Sequence, residues 1–182
     1  MHRRSLVVLG GLPATGKTTV ARKLNRDGHF CYIRIDSIEQ ALRDSGEMGP
    51  KGVQGAGYLV AYTVVADLLE CGNDVLVECV NPIELTRKSW RDVAVAHRSE
   101  LLEVELYCSD AEEHRARAES RTASVSGLIL PTWEEIENRE YEPWDADLQI
   151  DTCLASPEEV AGQVLQLLLG RNPGTAEPRR PL

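Results

Sequence analysis

Residues Gly11-Leu12-Pro13-Ala14-Thr15-Gly16-Lys17-Thr18 follow the spacing G-x-x-x-x-G-K-[ST]. They stand between an apolar run, Leu6-Val7-Val8-Leu9, and a helical pattern from Thr18 to Arg26. Strand, glycine-rich loop and helix form the setting in which this motif builds a phosphate cradle, the P-loop. Glycine lets the backbone curl until successive N–H groups point inward at phosphate oxygens. The positive end of the following helix adds to the attraction. Gly11, Pro13, Ala14, Thr15, Gly16, Lys17, Thr18 and Thr19 are therefore the nucleotide-binding candidates. Lys17 is expected to bridge the β- and γ-phosphates, and the Thr18 hydroxyl to ligate Mg2+. The cofactors expected are ATP or GTP, with Mg2+.

Around this loop, strand-like runs near 5–10, 30–35, 74–79, 101–108 and 147–151 alternate with helix-like stretches. The helices are expected near 17–27, 37–45, 53–71, 83–98, 110–122, 132–140 and 157–169. Such alternation predicts an α/β fold, a five-stranded parallel sheet with helices on both faces. Ligands then bind beyond the carboxyl ends of the strands. Ser109 to Glu112 reads as a capping box, and Ser156 as an N-cap before Pro157. The segment from Thr122 to Trp144, with Gly127, Pro131 and Pro143, is the least regular and is expected to form a flap. Gly170 is read as the end of the last helix. The Pro-, Gly- and Arg-rich tail from Arg171 to Leu182 is expected to be disordered. One domain over 1–170 with a lid about 110–145 is the expected organisation.

Composition narrows the partners. A chain of 182 residues, 42% hydrophobic, can bury one sizeable core. A net charge of −9 argues against sequence-independent nucleic-acid binding, which needs a basic stripe, and suits a neutral or cationic substrate. The five cysteines form no C-x-x-C pair, and four lie in or beside apolar runs. Buried, reduced thiols in a cytoplasmic protein are expected. No membrane span or signal peptide is expected, and the sequence carries no signal for an oligomeric state.

Several residues have the chemistry that phosphoryl transfer needs. Asp36 ends the second strand, where a carboxylate faces the nucleotide crevice and can accept an alcohol proton. It equally suits the N-cap of the helix from Ser37 to Asp44. Glu78, near the end of the third strand, stands where an acid holds Mg2+, directly or through water. Asn81 can reach substrate or cap the next helix. His114, Arg117 and Arg121 recur at helical spacing and share a face. An arginine pair four apart can stack on a base and neutralise a transferring phosphoryl group, or simply form a solvated face laced with ion pairs. Arg34, Tyr58 and Arg87 complete the substrate-side candidates. Trp133, Tyr141 and Trp144 can roof a pocket or fill the core.

Taken together, these segments resemble a group of small P-loop kinases, labelled AAA-type ATPases or predicted kinases. The matching stretches are Gly10 to Thr19, Ile33 to Gln40, Asp74 to Arg87, Leu106 to Arg121, Pro131 to Trp144 and Ile150 to Thr152. The group is similar to chloramphenicol phosphotransferase, gluconate and shikimate kinases, and the kinase part of polynucleotide 5′-hydroxyl kinases. The resemblance implies a sheet ordered 2-3-1-4-5 and a lid over the phosphates. It implies Asp36 as the base and Arg117 and Arg121 as lid arginines. It sets the adenine near Arg117 and the loop from Thr152 to Pro157. Glu78 departs from the group, where Asp is usual.

The expected activity is ATP-dependent phosphorylation of a hydroxyl on a small molecule: a sugar, a nucleoside, or an aminocyclitol-type antibiotic or its biosynthetic intermediate. The last rests on net charge and on the acid-rich run Glu134, Glu135, Glu137, Glu140, Glu142, Asp145 and Asp147, which equally suits a solvated helix face. A polynucleotide 5′-hydroxyl kinase is the alternative. A nucleotide-dependent switch with no phosphoryl acceptor is a third reading.

Overall fold

The computed structural model describes residues 4–47 and 52–171. Strand β1 (Ser5–Gly10) is buried along its whole length, as an apolar run at the centre of a parallel sheet must be. It is flanked by β3 (Val75–Glu78) and β4 (Glu100–Tyr107), with β2 (Cys31–Arg34) and β5 (Leu148–Asp151) at the edges. All four pairings are parallel, and the order is β2-β3-β1-β4-β5.

Alternation along β1 divides the core in two. Val7 and Leu9 face the layer of α1 (Lys17–Leu24) and α7 (Pro157–Arg171), meeting Val20, Leu24, Val160 and Val164. Leu6 and Val8 face the layer of α3 (Ala56–Glu70) and α4 (Glu84–Ala96), meeting Ala61, Val65 and Trp90. The expected three-layer sandwich is therefore present, with α2 (Ile35–Asp44) packed against α3. Each fully buried Leu or Val side chain contributes about 1.5–3 kcal/mol from removal from water.

Element boundaries moved in ways that matter for the site. Helix α2 starts at Ile35, so Asp36 lies inside its first turn and caps nothing. Helix α5 (Ala111–Ser120) is capped by Asp110, whose carboxylate accepts the Glu112 and Glu113 amides; Ser109 is not the cap. Thr132 and Glu135 form a full capping box for the short α6 (Trp133–Glu137). Ser156 caps α7 as expected, bonding reciprocally with Glu159. Gly170 does not end α7. The helix continues to Arg171, which ion-pairs with Asp147 and donates to the Leu101 carbonyl. The rest of the expected tail lies outside the described residues.

The cysteines correct the sequence expectation. Cys108 and Cys153 are paired as a disulfide, Cα atoms 5.4 Å apart, because parallel neighbours β4 and β5 deliver their following loops side by side. Of the remaining thiols only Cys79 is buried, and Cys71 is exposed. The thiol argument for a cytoplasmic location thereby loses its basis. No helix among the described residues is long and apolar enough to cross a membrane.

Candidate functional site

The P-loop leaves β1 into the crevice between β1 and β3, the switch point of the sheet. Gly11 has φ 141°, and a Cβ there would strike the Leu106 carbonyl, so this step needs glycine. Gly16 turns at φ 88° into α1. Thr15 braces the loop by donating its hydroxyl to the Leu12 carbonyl at 2.9 Å. Lys17 folds over it and donates Nζ to the Gly11 and Leu12 carbonyls at 2.8 and 2.6 Å. Burial pushes the Lys17 pKa down to about 8, while Glu78 and Asp36 pull it back up.

Glu78 ends β3 beside Leu9 of β1 and is 3% exposed. Its Oε1 accepts the Thr18 hydroxyl at 2.5 Å, and its Oε2 accepts the Tyr32 hydroxyl. Burial, and then Glu78, raise the Tyr32 pKa, so this phenol stays a donor. Arg34 Nε stands 3.7 Å from Glu78 Oε1. Thr18 and Glu78 thus form a part-buried pair of oxygen ligands next to the cradle. No cluster of three His, Cys, Asp or Glu side chains exists among the described residues. Mg2+ does not need one, since it takes one or two protein oxygens and fills its shell with phosphate and water. The pair fits such an ion.

A cavity of about 510 Å3 opens over these groups. Pro13, Ala14, Gly16, Lys17, Thr18 and Thr19 line it from the P-loop, whereas the candidates Gly11 and Thr15 do not line it. Arg34, Asp36 and Glu78 line it from the β2 and β3 ends, and Arg117 and Arg121 from α5. Asp36 Oδ2 lies 3.3 Å from Arg34 Nη2, and Arg34 also donates to Ser124 Oγ at 2.7 Å. Helix α5 is fastened to the P-loop by His114, whose Nε2 lies 2.8 Å from the Pro13 carbonyl oxygen and whose ring meets Trp133 edge-on. Arg117 on this helix and Arg121 at its C-cap both reach the cavity wall. Arg121, the C-cap of α5, keeps Nε and Nη2 buried with no hydrogen-bond partner. Burial lowers its pKa and Asp36 raises it.

A second cavity, of about 210 Å3, adjoins the first and is lined by Thr19, Val20, Arg117, Thr152, Ala155 and Pro157 among others. Arg117 forks onto the Thr152 hydroxyl and carbonyl at 3.0 and 3.1 Å and onto Glu113 at 2.8 Å. This fixes the guanidinium plane at the rim of an apolar slot, the region where the resemblance implied the adenine.

Three substrate-side candidates are not in the cavity. Tyr58 packs in the α3–α4 core, and its hydroxyl accepts the Asn81 amide at 2.8 Å. Asn81 is fully buried at φ 55°, and α4 is preceded by Ile83, so Asn81 neither lines the cavity nor caps the helix. Arg87 is 1% exposed and donates to the carbonyls of Asn81, Pro82, Glu142 and Pro143. It also lies against the rings of Tyr141 and Trp144. Arg87 is a clamp that fastens the end of the expected flap to α4, while Trp144 packs so closely over Gly10 that a Cβ there would collide with it.

The structure also adds residues. Arg22, Glu39, Arg43, Ser124 and Arg139 line the main cavity. Arg22 follows Thr18 by four and shares its helix face, and Arg139 is the single cation inside the acidic run from Glu134 to Glu142; both were legible signals. The acidic run itself points elsewhere. None of its seven members lines the cavity; Glu135 serves the capping box, Glu142 accepts the Glu84 amide, and Asp147 pairs with Arg171.

A family model described as an AAA domain (AAA_33) matches residues 6–138. No curated protein matches the chain. Among solved structures, a protein of Chloroflexus aurantiacus superposes with a TM-score of 0.74 at 19% identity, covering 93% of this chain and 98% of that one. The APS kinase CysC of Mycobacterium tuberculosis, in complex with AMPPNP and APS, gives a TM-score of 0.67 at 22% identity, covering 92% and 99%. The tunicamycin resistance protein of Deinococcus radiodurans gives 0.66 at 16% identity, covering 91% and 96%. At these identities the likeness is one of fold.

Proposed function

The chain belongs to the AAA domain family, and from that premise we propose that it is an ATP-dependent kinase that transfers the γ-phosphoryl group to a hydroxyl of a small molecule. The observation that carries this reading is the convergence of the P-loop, the Thr18–Glu78 pair, Asp36 and Arg121 on one cavity. A pure nucleotide switch has no use for a carboxylate at Asp36. The neighbouring APS kinase, solved with AMPPNP and APS, supports a nucleotide and a small acceptor bound together on such a fold.

In the mechanism we infer, the P-loop amides and Lys17 hold the β- and γ-phosphates. The adenine lies in the slot between Arg117, Thr152 and Pro157. Thr18 and Glu78 would hold Mg2+, which neutralises phosphate charge when bound. Asp36 orients the acceptor alcohol and takes its proton as the alcohol oxygen bonds to the γ-phosphorus. The bond from that phosphorus to the bridging oxygen breaks, and ADP leaves. Arg121, which lines the cavity, meets the charge on the transferring group and helps exclude water.

The sequence expectation of an aminocyclitol acceptor rested on acids that lie outside the cavity. Sugars and nucleosides do not depend on that argument. The test is ATP consumption against a panel of hydroxylated metabolites and antibiotics, with product mass raised by one phosphate. ATP hydrolysis with no acceptor-dependent product across the panel would count against the kinase reading.

A further inference from the structure

The cavity is cationic although the chain is acidic. Lys17, Arg22, Arg34, Arg43, Arg117, Arg121 and Arg139 line it against only Asp36, Glu39 and Glu78. Some of this charge is already matched. Arg43 pairs with Glu39 at 3.2 Å, and Arg34 lies between Asp36 and Glu78. Lys17, Arg117 and Arg121 serve the nucleotide in the mechanism above. Arg22 and Arg139 remain, both exposed and without an ion pair among the described residues: Arg22 on α1, and Arg139 on the wall that also carries Arg34 and Arg121. Arg34 and Arg139 both stand near enough to Arg121 to repel its charge. Arg34 Nε, like two nitrogens of Arg121, is buried without a hydrogen bond. Converging guanidinium groups repel one another unless an anion joins them.

We propose that the acceptor is an anion: an alcohol that also carries a carboxylate, sulfate or phosphate group, seated by Arg139 and Arg34 so that its hydroxyl meets Asp36. This rests on the kinase reading and narrows its substrate class. Arg139, from just after α6, supplies the charge that selects the anion. Arg34 lines the cavity beside it and holds Asp36 in place. A cationic aminocyclitol would meet two arginines where it needs acids.

The probe is inorganic anion bound to the full chain already loaded with AMPPNP and Mg2+, so that the triphosphate site is filled. Sulfate, phosphate and acetate, titrated separately by calorimetry, distinguish the three headgroups. At least one should bind the loaded protein. Its affinity should fall by about tenfold or more in Arg139→Ala and be largely kept in Arg139→Lys, as a charge-assisted contact requires. Arg139 is exposed, so the variant should fold. In the acceptor assay Arg139→Ala should raise the acceptor KM and leave the ATP KM unchanged. Gluconate, glucose and glucosamine, one skeleton in three charge states, give the second arm. The proposal is overturned if no anion binds the loaded protein, if binding is equal in Arg139→Ala, or if glucosamine is phosphorylated in preference to gluconate. A failure of AMPPNP to bind shows before any anion is added; it overturns the kinase reading and this inference with it.

Discussion

Replacing Asp36 by Asn separates chemistry from folding in one variant. Asp36 is the second residue of α2 and caps nothing. Its ion contact in the protein is with Arg34 at 3.3 Å, and its side chain is 41% exposed. Pairs that open to water are worth about 0.2–1 kcal/mol, and Asn keeps an oxygen that Arg34 can still donate to. The expected loss of stability is therefore under ~1 kcal/mol, a shift in Tm of no more than about 4 °C for a domain of this size. The catalytic loss should be larger. A positioned general base contributes about 10²–10⁴-fold, equivalent to roughly 2.7–5.4 kcal/mol of barrier. ATP should still bind, since the P-loop and Arg117 are untouched. Three measurements suffice: a thermal melt, an ATP-binding titration and the rate of acceptor phosphorylation. Near-normal transfer by Asp36→Asn refutes the base assignment. A rate loss matched by a large loss of stability makes Asp36 a structural residue. Hydrolysis of ATP that needs no acceptor, and that survives the substitution, favours a switch.

Other expectations follow from the same geometry. Arg121→Ala should lower kcat by on the order of 10³-fold, since a guanidinium at the cavity wall meets charge that develops only in the transition state. Arg117→Ala should instead raise the ATP KM by freeing the rim of the adenine slot, and wild-type behaviour of both would leave a solvated helix face. Arg87→Ala should destabilise the fold by about 3–5 kcal/mol, because four carbonyls lose a buried cationic donor; a stable variant with a raised acceptor KM in denaturant and rate assays would return Arg87 to the substrate. Opening the Cys108–Cys153 link, which spans 45 residues, should lower stability by ~4 kcal/mol. Reductant should therefore shift the unfolding midpoint of the wild type but not of Cys153→Ser, and no shift in the wild type would contradict the pairing.

What the sequence determined by itself was local. The phosphate cradle is eight contiguous residues, so its chemistry is written in one place. The strands were legible because a strand buried on both faces must be apolar throughout, as Leu6 to Leu9 are. The face shared by His114, Arg117 and Arg121 followed from helical spacing alone. Tertiary structure decided what distant segments do to each other. His114 reaches the P-loop across 101 positions, and Arg34 reaches Ser124 across 90. Arg87 and Arg139 look alike in sequence, each a cation in a polar stretch. Packing buries one beneath four carbonyls and leaves the other open at the cavity wall. The same holds for Cys108 and Cys153, which pair because β4 and β5 are neighbours. The resemblance implied that adjacency through the strand order, but only the fold brings the two loops side by side. Charge behaves likewise. Net charge is a sum over the sequence, whereas the field in a cavity depends on which side chains the fold turns inward, and here an acidic chain encloses a basic site.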